Sequence, residues 1–265
     1  CSRVQGAAIW LDCDMAYEEL KQRQSVMWGS GPYQRVTETI ADIHERVVEA
    51  LKPRARERWL DLACGTGAVA ERAARAGAKV TGLDLAPALL EQAKARAQAE
   101  GLEIDYRVGD CEKLDGIEDG SFDIVSSTCG IMFAPDHAAT ARQLARVLKS
   151  GGRLGLANWT PEGGLGAMFR MMAPFVQTPP PSSPFDWGKE ERVRELLGES
   201  FDLRVRKAHF HVSPFERRRI LGNLFDRLRP NQSAGRFVRP APGRVPSDLG
   251  GVLRTELQER RWHRP

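Results

Sequence analysis

The chain has 265 residues, 42% apolar and 28% charged, with a formal net charge of +4. That length allows one sizeable core, or one core with an appendage, and no apolar run approaches the length needed to cross a bilayer. The five cysteines (Cys1, Cys13, Cys64, Cys111 and Cys129) are odd in number and irregularly spaced. They match neither a disulfide framework nor a zinc site, and reduced thiols in a cytoplasm are expected.

The charge is unevenly spread. Residues 216–265 hold 12 arginines, no lysine and 5 acidic residues, a net of +7, so the remainder carries a net of −3. A slightly acidic body with a basic tail offers no folded basic face for nucleic acid. Residues 1–14 include Asp12 and Asp14 and show no secretory signal pattern; they are expected to be a leader outside the fold. The main domain is then expected over 15–215, and the Arg/Pro/Gly-rich tail over 216–265 is expected to be poorly packed.

In chain order, 16–52 is expected to be helical, with a break at 28–32 and an apolar stripe of Ile40, Ile43, Val47, Val48 and Leu51 stopped by Pro53. Within it, 28–52 is expected to form N-terminal cap helices of the main domain. A regular alternation follows. Strands are expected at 58–63, 79–84, 103–108, 122–127 and 153–159, with helices at 68–76, 87–100 and 138–149. Such an alternation means βαβ units, hence a doubly wound, mainly parallel α/β sheet. Residues 161–187, rich in Gly, Met, Phe and Pro, read as a lid. A sixth strand is expected over 201–212, and no convincing seventh follows it.

Ligands in open parallel sheets bind beyond the carboxyl ends of the strands. That rule gathers Asp61–Gly67, Asp84, Asp110 and the end of the fourth strand into one place. Gly65 and Gly67 permit a tight turn that lets a ligand lie against the backbone. The loop alone also satisfies a nicotinamide-dinucleotide fingerprint, with Asp84 lying 19 residues after Gly65. Charge separates the two readings, because a carboxylate at Asp61 repels a pyrophosphate and attracts a sulfonium or an ammonium. Asp84 suits two ribose hydroxyls, and Asp110 suits the exocyclic amine of adenine.

WLDLACGTG (59–67), TGLDLAP (81–87), GDCEKL (109–114), FDIVSSTCG (122–130) and LARVLKSGGRL (144–154) together give the chain its family resemblance. In their order and spacing it resembles the class I S-adenosylmethionine-dependent methyltransferases, especially the ubiquinone and menaquinone biosynthesis group. The resemblance covers roughly 28–212. It implies that the loop with Asp61, Ala63, Gly65, Thr66 and Gly67 holds the methionine moiety of the cofactor. It likewise implies Asp84 and Leu85 at the ribose, Asp110 and Cys111 at the adenine, and Ser127 lining the pocket beyond the fourth strand. That family normally completes its sheet with an antiparallel seventh strand, for which 216–265 offers no convincing match.

Methyl transfer from a sulfonium is an in-line displacement with a neutral leaving group, so alignment and exclusion of water carry much of the rate. No catalytic side chain announces itself. His137 is a candidate base; its plainer reading is a helix-start residue beside the N-cap Asp136. The near-pocket cysteines read as small apolar fillers in preference to reactive thiols. Trp28, Tyr33, Met132, Phe133, Met168 and Met172 are expected to wall an apolar acceptor site for a small, aromatic or lipid-like molecule. A regulatory or scaffolding protein that binds the cofactor without turnover is the runner-up, and a nicotinamide-dependent oxidoreductase the third reading.

Overall fold

The computed structural model describes residues 7–175 and 180–209, with side chains from 17 to 174 and from 180 onward. Three helices lead in: α1 (Ala7–Gly29), α2 (Tyr33–Thr39) and α3 (Ala41–Leu51). The alternating core follows as β1 (Arg58–Leu62), α4 (Ala68–Arg75), β2 (Lys79–Asp84), α5 (Pro87–Ala99) and β3 (Ile104–Val108). Next come β4 (Phe122–Thr128), α6 (His137–Val147) and β5 (Leu148–Ala157), then α7 (Gly164–Met172) and α8 (Glu190–Leu197).

The sheet runs β3-β2-β1-β4-β5, with every neighbouring pair parallel. The chain moves outward from β1 to β3, then returns to start β4 on the other side of β1. The strand order therefore reverses between β1 and β4, where a crevice opens at their carboxyl ends.

The central strands are buried on both faces, as parallel strands flanked by helices must be. Period-two alternation divides them between two cores. Leu60, Leu62 and Val125 pack with Leu144 and Val147 of α6 on one face. Trp59 and Ile124 pack with Val69, Ala73 and Leu90 on the other, where α3 adds Val47 and Leu51. Between β1 and β4 runs a buried polar relay. Trp59 Nε1 donates to Ser126 Oγ at 2.7 Å, and Ser126 Oγ donates to Asp61 Oδ1 at 2.7 Å.

Helix ends follow local chemistry. Pro87 opens α5, where its missing N–H costs nothing, and Asp136 caps α6 by accepting from Ala139 N at 2.8 Å.

Two differences from the sequence-based expectation stand out, at the N-terminal helix and at the sixth strand. Helix α1 continues without a break across residue 14, because the stretch after Gly6 contains neither Pro nor Gly up to Gly29. The expected lid at 161–187 contains α7 and a short 3-10 segment, Pro184–Gly188. The sixth strand, expected over 201–212, is not formed over 201–209. There Phe201 and Leu203 pack on the core while Val205 is exposed, and the segment pairs with no strand. No seventh strand occurs among the described residues, and the tail over 216–265 lies outside them.

Glycine inside a strand marks a close approach. Gly82 of β2 pairs with Tyr106 of β3, whose ring lies across it; a Cβ at Gly82 would meet two ring carbons at 2.7 Å. Gly82→Ala is therefore expected to destabilise the fold by about 1–3 kcal/mol through overpacking, read as a lowered urea midpoint at unchanged slope.

Candidate functional site at the strand ends

The loop from β1 to α4 is bent by three left-handed residues, Ala63 (φ 50°), Gly65 (φ 57°) and Gly67 (φ 86°). At Gly67 a Cβ would stand 2.2 Å from the Tyr106 hydroxyl, so this glycine makes room for a buried tyrosine and not for a ligand. Asp84, at the tip of β2, fixes the loop from the side. Its Oδ2 accepts from Gly65 N and its Oδ1 from Ala86 N, each at 2.8 Å. Burial raises the pKa of its carboxyl, against the pull of these backbone N–H groups.

A cavity opens above these tips, with an empty volume of about 680 Å³ that includes its mouth. Of the expected cofactor residues, Ala63, Gly65, Asp84, Leu85, Asp110 and Cys111 line it. Of the expected acceptor wall, Trp28, Tyr33 and Phe133 line it. Their rings form a ladder: Tyr33 stands edge-on to Trp28 at 5.9 Å, and Trp28 lies 4.9 Å from Phe133. The ladder runs on through Phe169 to Phe185.

Other expected residues lie elsewhere. Asp61 is buried beneath the loop and borders a second, smaller cavity with His44, Thr37 and Thr128. Burial pushes its pKa up to about 7, against hydrogen bonds from Ser126 and the Ala70 amide and helped by the charge of Asp84. A carboxyl so placed is a poor discriminator between cofactors, and that distinction passes to Asp84 and Asp110. Ser127 is also buried, its hydroxyl donating to the Leu62 carbonyl at 2.8 Å, so it ties β4 to β1 instead of lining the cavity. Thr66 donates to Gln34 Oε1 at 2.7 Å. Met132 is wholly within the core, Met168 is nearly so, and neither they nor Met172 reach the cavity.

His137 does not line the cavity either. It is buried against Trp187, with ring centroids 5.6 Å apart, and burial lowers its pKa. The plain helix-start reading fits it. The thiols of Cys111 and Cys129 are pushed up to about 12 and that of Cys64 well above its ordinary value, in each case chiefly by burial, as fillers would be.

Two of the residues missed from sequence come from α1. Lys21 is 5% exposed, and its Nζ donates to Asp110 Oδ2 at 2.7 Å and meets Glu112 Oε2 at 2.6 Å. Burial opposes its charge, but the two carboxylates outweigh that and raise its pKa. Gln24 and Gly109 also line the cavity, together with Cys129 and Gly130 from the expected end of the fourth strand. The only trace in the sequence is that 21, 24, 25 and 28 fall on one helix face. Among the described residues no group of His, Cys, Asp and Glu is arranged to hold a metal, and no helix is long and apolar enough to cross a membrane.

Comparison with known proteins places this architecture. A model described as a methyltransferase domain matches residues 60–156. An uncharacterized protein of Mycobacterium tuberculosis is 41% identical over 193 residues, covering 71% of this chain and 70% of its own. A ubiquinone biosynthesis O-methyltransferase of Xanthomonas axonopodis is 37% identical over 136 residues, 51% of this chain and 57% of its own. The solved structure of Haemonchus contortus phosphoethanolamine N-methyltransferase 2, with phosphomonomethylethanolamine and S-adenosylhomocysteine, aligns with TM-score 0.50 at 24% identity. It covers 60% of this chain and 36% of its own, and shares the fold.

The raised pKa of Asp61 carries a stability consequence. Between the ordinary value of 3.8 and about 7 the folded state holds a proton that the unfolded state has lost, so stability falls as pH rises through that window. Asp61→Asn, which keeps an acceptor for Ser126, is expected to flatten that slope. Urea midpoints measured from pH 4 to pH 8 on both proteins check it; parallel profiles would refute the assignment.

Proposed function

This chain belongs to the class I S-adenosylmethionine-dependent methyltransferases, and we propose that it transfers the methyl group to a small apolar or aromatic acceptor bound in the strand-end cavity. The observation that carries the reading is one cavity with two carboxylates, Asp84 and Asp110, on successive strand tips beside a glycine-bent loop. That donor set fits an adenosyl sulfonium. Asp84 has lone pairs left for ribose hydroxyls, and Asp110 for an exocyclic amine. It fits a dinucleotide poorly, because Lys21, the one lysine lining the cavity among the described residues, is already neutralised by Asp110 and Glu112.

In this reading the Ala63–Gly65 backbone takes the methionine moiety, Asp84 and Leu85 the ribose, and Asp110 and Cys111 the adenine. The cofactor, when bound, supplies an electrophilic methyl group on a cationic sulfur. The chain's own residues bind, align and exclude water. Trp28, Tyr33 and Phe133 give the acceptor a flat, apolar wall that orders few rotatable bonds. Among the described residues no histidine lines the cavity, and in this reading alignment of the acceptor carries the rate. The Xanthomonas relative, named for O-methylation in ubiquinone biosynthesis, supports an aromatic acceptor of this kind.

Calorimetry should show S-adenosylhomocysteine binding and no response to NAD. Asp84→Ala should weaken that binding by about tenfold or more, since charge-assisted hydrogen bonds are worth about 1.5–3 kcal/mol; an unchanged Kd would remove Asp84 from the site. Acceptor classes screened by S-adenosylhomocysteine release should favour phenolic and apolar compounds, and turnover confined to small polar amines would overturn the acceptor assignment.

A further inference from the structure

Helix α1 touches three of the loops that surround the cavity, one side chain to each. Lys21 joins the loop after β3, at Asp110 and Glu112. Ser25 Oγ donates to the Leu85 carbonyl after β2 at 2.9 Å, and Gln24 Nε2 donates to the Phe133 carbonyl after β4 at 2.9 Å. Glu18 meets Lys113 at 2.6 Å farther out on the surface. The positions 18, 21, 24, 25 and 28 recur every three or four residues, so a single face of α1 carries all these contacts together with Trp28. Lys21, Gln24 and Trp28 are at the same time part of the cavity wall.

From this juxtaposition we propose that α1 is a latch over the cofactor cavity, fastened by Lys21, Gln24 and Ser25 to three separate strand-end loops, which must lift for the cofactor to enter and leave. The inference rests on the cofactor reading given above. Two physical features make the latch releasable. Its links to the loops are three polar side chains and the ring contact of Trp28 with Phe133, and the opposite side of α1 carries Val26 and Met27, 74% and 44% exposed, with no second layer over them among the described residues. Helices held in this way open locally at far lower cost than the core. Lys21 also sits on Asp110, the carboxylate assigned to the adenine, so that docking of the helix and handling of the ligand meet at one group.

A gate changes rates in both directions, whereas a residue that merely contacts the ligand changes dissociation. The test therefore uses two variants of the full chain. Lys21→Ala removes the ionic fastening. Ser25→Ala removes a fastening whose side chain does not line the cavity and leaves no buried charge behind. In hydrogen exchange without ligand, amides of 17–29 should exchange faster in both variants while β1 and β4 stay protected. In stopped-flow experiments, association and dissociation of S-adenosylhomocysteine should accelerate together, by about tenfold for Lys21→Ala and less for Ser25→Ala, with Kd changed far less than either rate.

Unchanged exchange over 17–29 in both variants would overturn the latch. Faster dissociation with unaltered association would make Lys21 a ligand contact and overturn it equally. A wild-type protein that binds no S-adenosylhomocysteine overturns the cofactor reading and the gate with it. Normal binding with unaltered rates in both variants overturns the gate alone.

Discussion

The carboxylate of Asp84 accepts hydrogen bonds from Gly65 N and Ala86 N, and the geometry of the strand-end site depends on that pair of contacts. One donor lies 19 residues back in the chain and the other 2 residues ahead, so a single side chain stitches the β1 loop to the β2 loop. The parallel register sets this up by placing Leu62 beside Leu83, and Cys64 N reaches the Leu83 carbonyl at 3.1 Å. Left-handed conformations at Ala63, Gly65 and Gly67 then turn the chain away from the strand tips, which leaves room for a ligand above them. Burial makes the carboxylate costly to ionise, and the backbone N–H groups offset part of that cost.

The opposite wall is built on a different balance. Asp110 and Glu112 sit close together on one loop, and Lys21 from α1 lies between them. A buried cation between two carboxylates is weak evidence for stability, because desolvation offsets much of the attraction. What it does provide is a defined position for α1, since the lysine leaves both carboxylates uncompensated if the helix departs. The cavity thus has one side fixed by the sheet register and the other by a helix held through polar contacts.

Much of the fold was legible because periodicity and punctuation agree. Pro87, Gly101 and the short, continuously apolar-buried runs of β1 and β4 mark their elements locally. Asp84 and Asp110 were legible because strand ends converge in any parallel sheet. The misses share a cause, which is contact between residues distant in sequence. Lys21 meets Asp110 across 89 positions, and nothing in either segment alone records the meeting. Ser127 was misplaced because a strand tip offers two directions, and here the hydroxyl turns inward to Leu62 across 65 positions. Asp61 had the right motif, yet the Trp59–Ser126 relay draws its carboxylate below the loop. The methionines of the expected wall, Met132 and Met168, went to the core, where flexible thioethers fill gaps. The alternation in 201–209 resembled a strand, but Val205 faces outward without a strand partner.

The most direct test is a crystal structure of the protein with S-adenosylhomocysteine. The expected result is a nucleoside in the strand-end cavity with both ribose hydroxyls within hydrogen-bonding distance of the Asp84 carboxylate, while the Gly65 and Ala86 contacts persist. A ligand bound elsewhere, or one whose ribose lies away from Asp84, would contradict the site at its foundation.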